Sequence, residues 1–247
     1  MKIIGITGGT GSGKSTALKA IESLGALALD CDLIYHEILA NNKEMADEIA
    51  AKFINVTTDG KIDRAKLADL VLGNPEALKR LNKITHKYVQ DEVEKRISEH
   101  EKKGGELVAI DAIALVESGA AERCDVVIGI VAPKNLRIMR IMKRDGISEL
   151  QAKRRIKAQK SESFYIENSE HQLENNNRTP DDFEKECVEF FTELLKEEQD
   201  SSEAVKPSKE TKVSDVPKTQ KAPRAPKASE SSKAPIIPKL PKAQKTP

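Results

Sequence analysis

The sequence begins with a phosphate-binding loop pattern, which constrains the fold more than any other feature. Residues 8–15 read GGTGSGKS, in which a glycine, four further residues and then Gly-Lys-Ser follow at the required offsets. In such a loop, backbone N–H groups surround a polyphosphate, because the glycines let the backbone approach it closely. The apolar run Lys2–Thr7 predicts a buried strand before the loop, and Lys14–Ser23 predicts a helix after it. Strand, loop and helix in this order predict an α/β fold.

Each position of the loop has an expected contact. Lys14 can bridge the β- and γ-phosphates of ATP, and the Ser15 hydroxyl can take a coordination position of Mg²⁺. The positively polarised N terminus of the following helix favours an anion at the same place. The residues predicted to bind the nucleotide are Gly9, Thr10, Gly11, Ser12, Gly13, Lys14, Ser15 and Thr16. The alternative is a glycine-rich turn without a ligand, and the positions of Lys14 and Ser15 argue against it.

The composition changes at about residue 200. Residues 201–247 hold eight of the eleven prolines and no glycine, and their eleven Lys and Arg against four Asp and Glu give a charge of +7. Residues 1–200 have 30 basic and 36 acidic residues, a charge of −6. Because the tail can bury too little apolar surface to offset its ordering entropy, we predict that it is disordered. It is the sole candidate for a nucleic-acid contact, and a solubilising tail is the favoured interpretation.

Cysteine usage and hydropathy indicate the cellular compartment. Cys31, Cys124 and Cys187 have neither a metal-binding nor a CxxC spacing, and three cysteines cannot all pair. This usage is typical of a reducing compartment. No signal peptide is expected, because a predicted core strand begins at once, and no apolar run approaches the length of a membrane span. We therefore expect a cytoplasmic protein with no membrane partner, and we expect a monomer.

Carboxylates follow two of the predicted strands. Asp30-Cys31-Asp32 comes after the apolar run of residues 26–29, and in an extended chain the two carboxylates would lie on the same side. One could then take a proton from an attacking hydroxyl while the pair organises magnesium. The alternative is that Asp32 only caps a helix over residues 33–40. Asp111 ends the strand Leu107–Asp111 and either orients magnesium or merely ends the strand.

Residues 33–104 predict several helices and no strand. Asp63 can cap a helix that runs to Leu72, and Asn74-Pro75-Glu76 opens a long helix that ends near Lys102. An insert of this size exceeds what a crossover between strands needs, so it would hold a phosphoryl acceptor. His86 on the long helix is a candidate contact, although a lone helical histidine is more often packed or solvated.

A basic segment follows the apolar run Val126–Val131, which we predict to be a strand in the centre of the sheet. Arg137, Arg140 and Arg144 recur at helical spacing, and Ser148 begins a capping box that opens a second helix. Two such helices predict a lid that brings arginines to the transferring phosphoryl group, with a solvated basic face as the alternative. A weak strand at His171–Glu174 and a last helix ending near residue 198 complete the predicted body.

Together these features resemble the dephospho-coenzyme A (dephospho-CoA) kinase family. The resemblance covers about residues 1–196 and rests on ITGGTGSGKST, LGALALDCD, LNKITH, AIALVESG, RIKAQ, LENN and the spacing of Arg140 and Arg144. Many kinases share the loop alone. Its combination with Asp30 and Asp32, with the Glu117 of ESG and with RIKAQ is much more specific.

The resemblance implies a phosphate-loop kinase that transfers the γ-phosphoryl group of MgATP to the ribose 3′-hydroxyl of dephospho-CoA. It makes Asp32 the expected base and a metal ligand beside Ser15, and it makes Lys14 and Arg140 the stabilisers of the phosphoryl charge. Arg144 and Asn175 are expected at the nucleotide, Asn175 near the adenine. Contacts to the acceptor are expected from Asp30, Asp32, His86, Asp111 and Glu117.

The implied architecture is a central parallel sheet flanked by helices, with two helical additions and a disordered tail. The predicted parts are a core over residues 1–32, 105–133 and 170–198, an acceptor-binding insert over 33–104, a lid over 134–169 and the tail over 201–247. Two other functions stay open: a kinase of this fold for a different nucleoside or nucleotide, and an ATP-dependent binding protein that uses the tail.

Three positions depart from the family pattern. Lys87 stands where a proline usually follows the histidine, and Ile113-Ala114-Leu115 replaces a proline-leucine-leucine stretch. Cys31 replaces the alanine between the two aspartates. All are backbone or packing positions, so they bear on the shape of the acceptor pocket more than on the reaction.

Overall fold

A computed structural model of the chain describes residues 1–71, 73–176 and 179–203. The tail predicted for residues 201–247 lies outside them from residue 204 onward, as does the predicted helix end at Leu72. The strands are β1 (Lys2–Thr7), β2 (Leu27–Asp30), β3 (Thr57–Thr58), β4 (Lys61–Ile62), β5 (Leu107–Asp111), β6 (Val126–Val131) and β7 (His171–Glu174).

Five strands form a parallel sheet in the order β2-β5-β1-β6-β7. The predicted parallel α/β architecture is therefore confirmed. The middle strand is β1, whereas β6, predicted at the centre, lies beside it with every residue buried. Asp30 and Asp111 are register partners at the ends of β2 and β5, so the two predicted carboxylates meet at one edge of the sheet.

The helices are α1 (Lys14–Ser23), α2 (Cys31–Asn41), α3 (Lys43–Lys52), α4 (Arg64–Val71), α5 (Pro75–Lys102), α6 (Lys134–Asp145), α7 (Glu149–Lys157), α8 (Glu162–Glu167) and α9 (Pro180–Glu203). Several begin at the residues that the sequence predicts. Asn74 accepts a hydrogen bond from the Ala77 N–H and caps α5, and Ser148 and Gln151 form the capping box of α7. Among the described residues, none of these helices combines the length and hydropathy that a bilayer crossing requires.

The two faces of the sheet carry separate cores. Ile4 and Ile6 of β1 face α1 and α9, where they pack with Phe183 and Phe191 in one buried cluster. Val108 and other residues of β5 face the opposite cluster, which is built largely from helices α2 to α5. Because side chains alternate along a strand, one apolar run serves both cores. The sheet thereby holds the ends of β1, β2 and β5 rigidly between two layers.

The start of α2 corrects the prediction for the Asp30-Cys31-Asp32 segment. The helix begins at Cys31, directly after β2, so the segment is not extended. Asp30 Oδ1 accepts hydrogen bonds from the N–H groups of Asp32 (2.9 Å) and Leu33 (3.1 Å). Asp30, not Asp32, is therefore the N-cap, because only a residue before the first turn can reach those unpaired donors.

Three other elements differ from the sequence predictions. The insert contains the short antiparallel hairpin β3–β4, whose turn residues Asp59 and Gly60 have φ of 50° and 73°. Positive φ at both positions is the geometry of a tight hairpin turn. The lid segment has an additional short helix, α8, capped by Ser161. The last helix ends at Glu203, so the boundary predicted at residue 200 falls inside α9.

Candidate active site

The phosphate loop joins β1 to α1 at the carboxyl edge of the sheet. Gly13 is the N-cap of α1, with φ of 117°, a backbone conformation that side chains rarely adopt. A Cβ atom at Gly13 would lie 2.3 Å from Asn175 Nδ2 and 3.0 Å from Phe183 Cε1. The glycine is therefore required both by the backbone and by close packing against the segment that follows β7. The first turn of α1 directs its N–H groups towards the space above the loop.

A cavity of about 670 Å³ lies over the loop. It brings together residues that the sequence places far apart, from the loop, from the ends of β2 and β5 and from the basic helix α6. Its lining comprises Thr10, Gly11, Gly13, Lys14, Ser15, Thr16, Asp30, Asp32, Asp111, Ile113, Arg140, Lys143, Arg144, Asn175 and Pro180. Most of the predicted nucleotide-binding residues share this wall, and Ser12 is buried beneath it with 1% exposure.

Lys14 and Asp111 form a buried ion pair at the base of this cavity. The Lys14 Nζ atom lies 3.6 Å from Asp111 Oδ1. Burial raises the pKa of Asp111 to about 7, the positive charge of Lys14 opposes the rise, and the negative charges of Asp30 and Asp32 add to it. Asp111 is thus more than the end of a strand, since it faces the loop lysine across the cavity floor.

This acidic corner fits a magnesium ion that is shared with a nucleotide. Asp30, Asp32 and Asp111 face one cavity together with the Ser15 hydroxyl, and their negative charges are only partly balanced by Lys14. Within the described ranges, no three His, Cys, Asp or Glu side chains are arranged as a metal site by themselves. Mg²⁺ bound with substrate phosphates needs only one or two protein carboxylates, because phosphate oxygens and waters complete its shell.

Without nucleotide or divalent cation, we expect Asp111 to make the protein less stable as the pH rises from 3.8 to about 7. Its pKa rises from 3.8 to about 7 on folding, so the folded state holds a proton that the unfolded state has already released. The stability from the protonated form is present below pH 3.8 and is lost as the pH rises through about 7. Urea unfolding of the wild type and of Asp111→Asn across this interval measures the effect. A pH-independent difference between the two would contradict it.

Asp32 occupies the boundary between the large cavity and a second pocket. The second pocket, of about 40 Å³, lies between α5, the end of β5 and the segment that follows β5. Asp32 and Ile113 line both spaces. The rest of the pocket lining is mostly apolar: Cys31, His86, Val89, Gln90, Val93, Ile110, Ala112, Ala114, Ser118, Ala120 and Arg123. Helix α5 therefore brings His86 to the second pocket, and its contact with the acceptor stays a prediction.

Glu117 lines neither the cavity nor the pocket, although the family pattern places it among the acceptor contacts. Both of its carboxylate oxygens are buried. Burial raises the pKa of Glu117, and the charge of Lys160 counteracts the rise. The described contacts thus associate Glu117 with the lid segment, and its role at the acceptor stays a prediction.

Arg140 and Asn175 contact the phosphate loop itself. Arg140 donates from Nη1 to the Gly11 carbonyl (3.3 Å) and from Nη2 to Asn175 Oδ1 (2.8 Å). Asn175 Nδ2 donates to the Ser12 carbonyl at 2.9 Å. The Asn175 amide is thereby engaged with the loop and with Arg140. Both residues line the cavity, while their expected contacts with phosphoryl group and adenine stay predictions.

Arg144 and Lys143 bring further positive charge to the cavity wall. Arg144 Nε donates to Asp145 Oδ1 at 2.8 Å. This hydrogen bond, the charge of Asp145 and the charge of Asp32 raise the pKa of Arg144 against the effect of burial. Arg144 therefore lies within electrostatic range of Asp32.

Sequence reasoning missed two residues that fasten the loop. Arg137 donates to the Thr10 carbonyl, and Gln159 accepts from the Thr10 N–H. The sequence predicts Arg137 only as one of the lid arginines, and Gln159 only as part of the RIKAQ motif. The spacing of three residues between Arg137 and Arg140 is the signal that could have placed both arginines at the loop.

Comparisons of sequence identify the chain's relatives. The family model described as dephospho-CoA kinase matches residues 2–181. A curated dephospho-CoA kinase of Dehalococcoides mccartyi is 38% identical over 193 residues, which are 77% of this chain and 96% of the relative. That of Geobacter sulfurreducens is 33% identical over 193 residues, which are 77% of this chain and 98% of the relative.

Solved structures agree with these sequence matches. The dephospho-CoA kinase of Campylobacter jejuni is 30% identical, has a TM-score of 0.58 and aligns with 80% of this chain and 100% of its own. A Thermus thermophilus protein is 29% identical, with a TM-score of 0.66 and coverage of 78% and 97%. Because the matches in sequence extend over nearly the whole length of the relatives, the chain belongs to the dephospho-CoA kinase family.

Proposed function

We propose that, in the phosphorylation of dephospho-CoA, Asp32 is the base that accepts the proton of the ribose 3′-hydroxyl. The observation that carries this proposal is the position of Asp32 on the wall shared by the loop cavity and the apolar pocket. A hydroxyl that reaches this wall from the pocket would face the end of a triphosphate lying on the loop. As its oxygen attacks the γ-phosphorus, the bond to the departing ADP oxygen breaks and the proton passes to Asp32.

Asp30 is the less suitable base because its carboxylate has a structural task. Its Oδ1 atom accepts two backbone hydrogen bonds at the start of α2. These bonds commit that oxygen to the first turn of α2, so it is less available to a hydroxyl. Asp32 is the second residue of α2, and among the residues that the structure describes its carboxylate accepts no hydrogen bond.

The cationic side chains of the cavity would stabilise the charge of the transferring group. Lys14 is placed for the β- and γ-phosphates, and Arg140 and Arg144 approach from α6. Arg140 would exchange some of its contacts with the loop for phosphate oxygens when the nucleotide binds. Bound Mg²⁺, with Ser15 and Asp32 as its protein ligands, would neutralise charge on the phosphate oxygens. Positioning and charge neutralisation, with no covalent enzyme intermediate, would carry the rate.

The apolar pocket would receive part of the acceptor. Its lining suits the adenine ring or the pantetheine arm of dephospho-CoA better than its pyrophosphate, and His86 and Gln90 offer polar contacts at its wall. Because the pocket has a volume of only about 40 Å³, we expect the insert to move outward from β5 when these groups enter. We assign residues 33–104 to acceptor binding because α5 lines this pocket, and residues 134–169 to a lid because α6 lines the cavity over the loop.

The proposal also includes the cellular compartment and the oligomeric state of the protein. The free state of Cys31, Cys124 and Cys187 supports a reducing, cytoplasmic location. We propose that the protein acts there as a monomer on small-molecule substrates, with the catalytic unit ending at α9.

The acceptor preference is expected to be strong. A coupled assay measures ADP release in the presence of MgATP. The kcat/KM should be at least about 10³-fold higher with dephospho-CoA than with adenosine or AMP, because remote parts of a large acceptor contribute binding energy to the transition state. If AMP or adenosine were phosphorylated as fast as dephospho-CoA, the protein would be a nucleotide or nucleoside kinase. The insert would then not be needed to bind a large acceptor. ADP release without any acceptor sets the background.

A further inference from the structure

Gln159, which follows the end of α7 at Lys157, connects that helix to the phosphate loop through its side chain. Its Oε1 atom accepts a hydrogen bond from the Thr10 N–H at 2.9 Å. Its Nε2 atom donates to the Thr10 hydroxyl oxygen. One carboxamide therefore pairs with both the backbone and the side chain of a loop residue that precedes it by 149 positions.

Arg137 contacts both Thr10 and Gln159. Its Nε donates to the Thr10 carbonyl at 2.9 Å, and its Nη2 donates to Gln159 Oε1 at 3.1 Å. The arginine is only 5% exposed. A Cβ atom at Gly9 would lie 2.1 Å from Arg137 Nη2, so the guanidinium rests directly on the loop backbone.

Thr10 is thus fixed through its N–H, its carbonyl and its hydroxyl group. The loop around it is rich in glycine, which alone permits many backbone conformations. Thr10 also lines the cavity in which the triphosphate is expected. Hydrogen bonds from outside the loop are therefore needed to select the one shape in which its N–H groups converge on phosphate.

We propose that Gln159 is a positioning residue for phosphoryl transfer: with Arg137 it holds Thr10 and thereby ties the shape of the phosphate loop to the lid helices α6 and α7. Movement of α7 would then be transmitted to the first half of the loop. The proposal rests on the loop cavity being the ATP site, but it is independent of which aspartate is the base. Gln159 is not among the residues that line the cavity, so it would act on the reaction through Thr10.

The test compares two glutamines of the same lid segment. Gln159→Leu removes both hydrogen bonds between residue 159 and Thr10, and it is expected to lower kcat by about 10–100-fold, since small displacements of positioning groups have effects of this size. The KM for dephospho-CoA should stay within about twofold, because the acceptor pocket is built from other elements. Gln151→Leu is the control: it removes the capping box of α7 but does not touch the loop, so it should keep kcat within about twofold.

Rescue and coupling distinguish positioning from a general loss of structure. Gln159→Glu keeps two oxygens that can accept from the Thr10 N–H, the Thr10 hydroxyl and Arg137, so it should recover most of the kcat. Thr10→Val removes the hydroxyl and keeps the branched shape. It should lower kcat in the wild-type background and have little additional effect beside Gln159→Leu, because both changes break the same contact.

Three results would overturn the proposal. They are a kcat of Gln159→Leu within twofold of the wild type, no rescue by Gln159→Glu, or an effect of Thr10→Val that is equally large in both backgrounds. If Gln159→Leu does not fold, Gln159→Met replaces it with a side chain of similar length and no hydrogen-bonding amide; full turnover by that variant also overturns the proposal. A wild type that does not phosphorylate dephospho-CoA would instead contradict the function itself.

Discussion

Replacement of Asp32 by asparagine is expected to lower turnover of dephospho-CoA by about 10²–10⁴-fold, the range that positioned general bases contribute. Asparagine has nearly the same shape but cannot take the proton of the attacking hydroxyl. The loop residues that hold the triphosphate are unchanged, so the Kd for ATP should remain close to that of the wild type. Single-turnover rates and ATP titrations separate the two quantities.

Asp30→Asn is the matched control for this prediction. Asparagine is as good an N-cap as aspartate, so α2 should keep its start and the protein its stability. The variant loses one negative charge at the cavity, so its turnover should fall by much less than that of Asp32→Asn. Near-normal turnover by Asp32→Asn would show that Asp32 is not the base. A larger loss of turnover in Asp30→Asn than in Asp32→Asn would identify Asp30 as the base instead.

Lys14→Met is expected to lower kcat/KM for ATP on the order of 10³-fold, because it removes a preorganised cation from the place where charge develops. The substitution has a second effect. Asp111, 3.6 Å from the lysine in the wild type, would lose its buried counter-charge. Because Lys14 lowers the pKa of Asp111, that pKa rises further without the lysine and the carboxyl holds a proton at neutral pH. The Kd for ATP should rise as well, because the charge of the lysine itself is lost.

Two further variants test the origin of this loss. Lys19→Met makes the same change on the same helix, where the lysine is exposed and paired with Glu184 at 2.9 Å. An exposed pair contributes little, so this variant should behave as the wild type. At neutral pH, Lys14→Met combined with Asp111→Asn should bind ATP about as weakly as Lys14→Met, because a protonated Asp111 already carries no charge. Recovery of ATP affinity by the double variant would show that Asp111 stays ionised without the lysine.

The local features of this fold were predictable because the sequence encodes them over few residues. Strand β1, the glycine loop and α1 form one continuous pattern, and the caps at Asn74 and Ser148 depend on hydrogen bonds between residues three positions apart. The parallel sheet follows from the loop pattern. The order of its strands does not, and only that order places β5 beside β1 and Asp111 against Lys14.

The features that the sequence does not predict correctly are too short to show a pattern or depend on contacts between residues that are distant in the chain. The hairpin β3–β4 has strands of two residues, too short for any periodicity, although Asp59-Gly60 is a hairpin signal. The start of α2 at Cys31 depends on the turn that β2 makes at the sheet edge. The contacts of Gln159 and Asn175 with the loop require the packing of helices that are distant in sequence, and no local pattern distinguishes an amide at a loop from one at the surface.

The contacts that fasten the loop also determine when the site exists during synthesis. Asn175 follows its partner Ser12 by 163 residues, and Gln159 follows Thr10 by 149 residues. A chain still on the ribosome has made the whole loop long before it has made either partner. Contacts of such long range form late in folding. We therefore expect nucleotide affinity to be a property of the finished domain, and we expect ATP to stabilise the completed fold without templating its early stages.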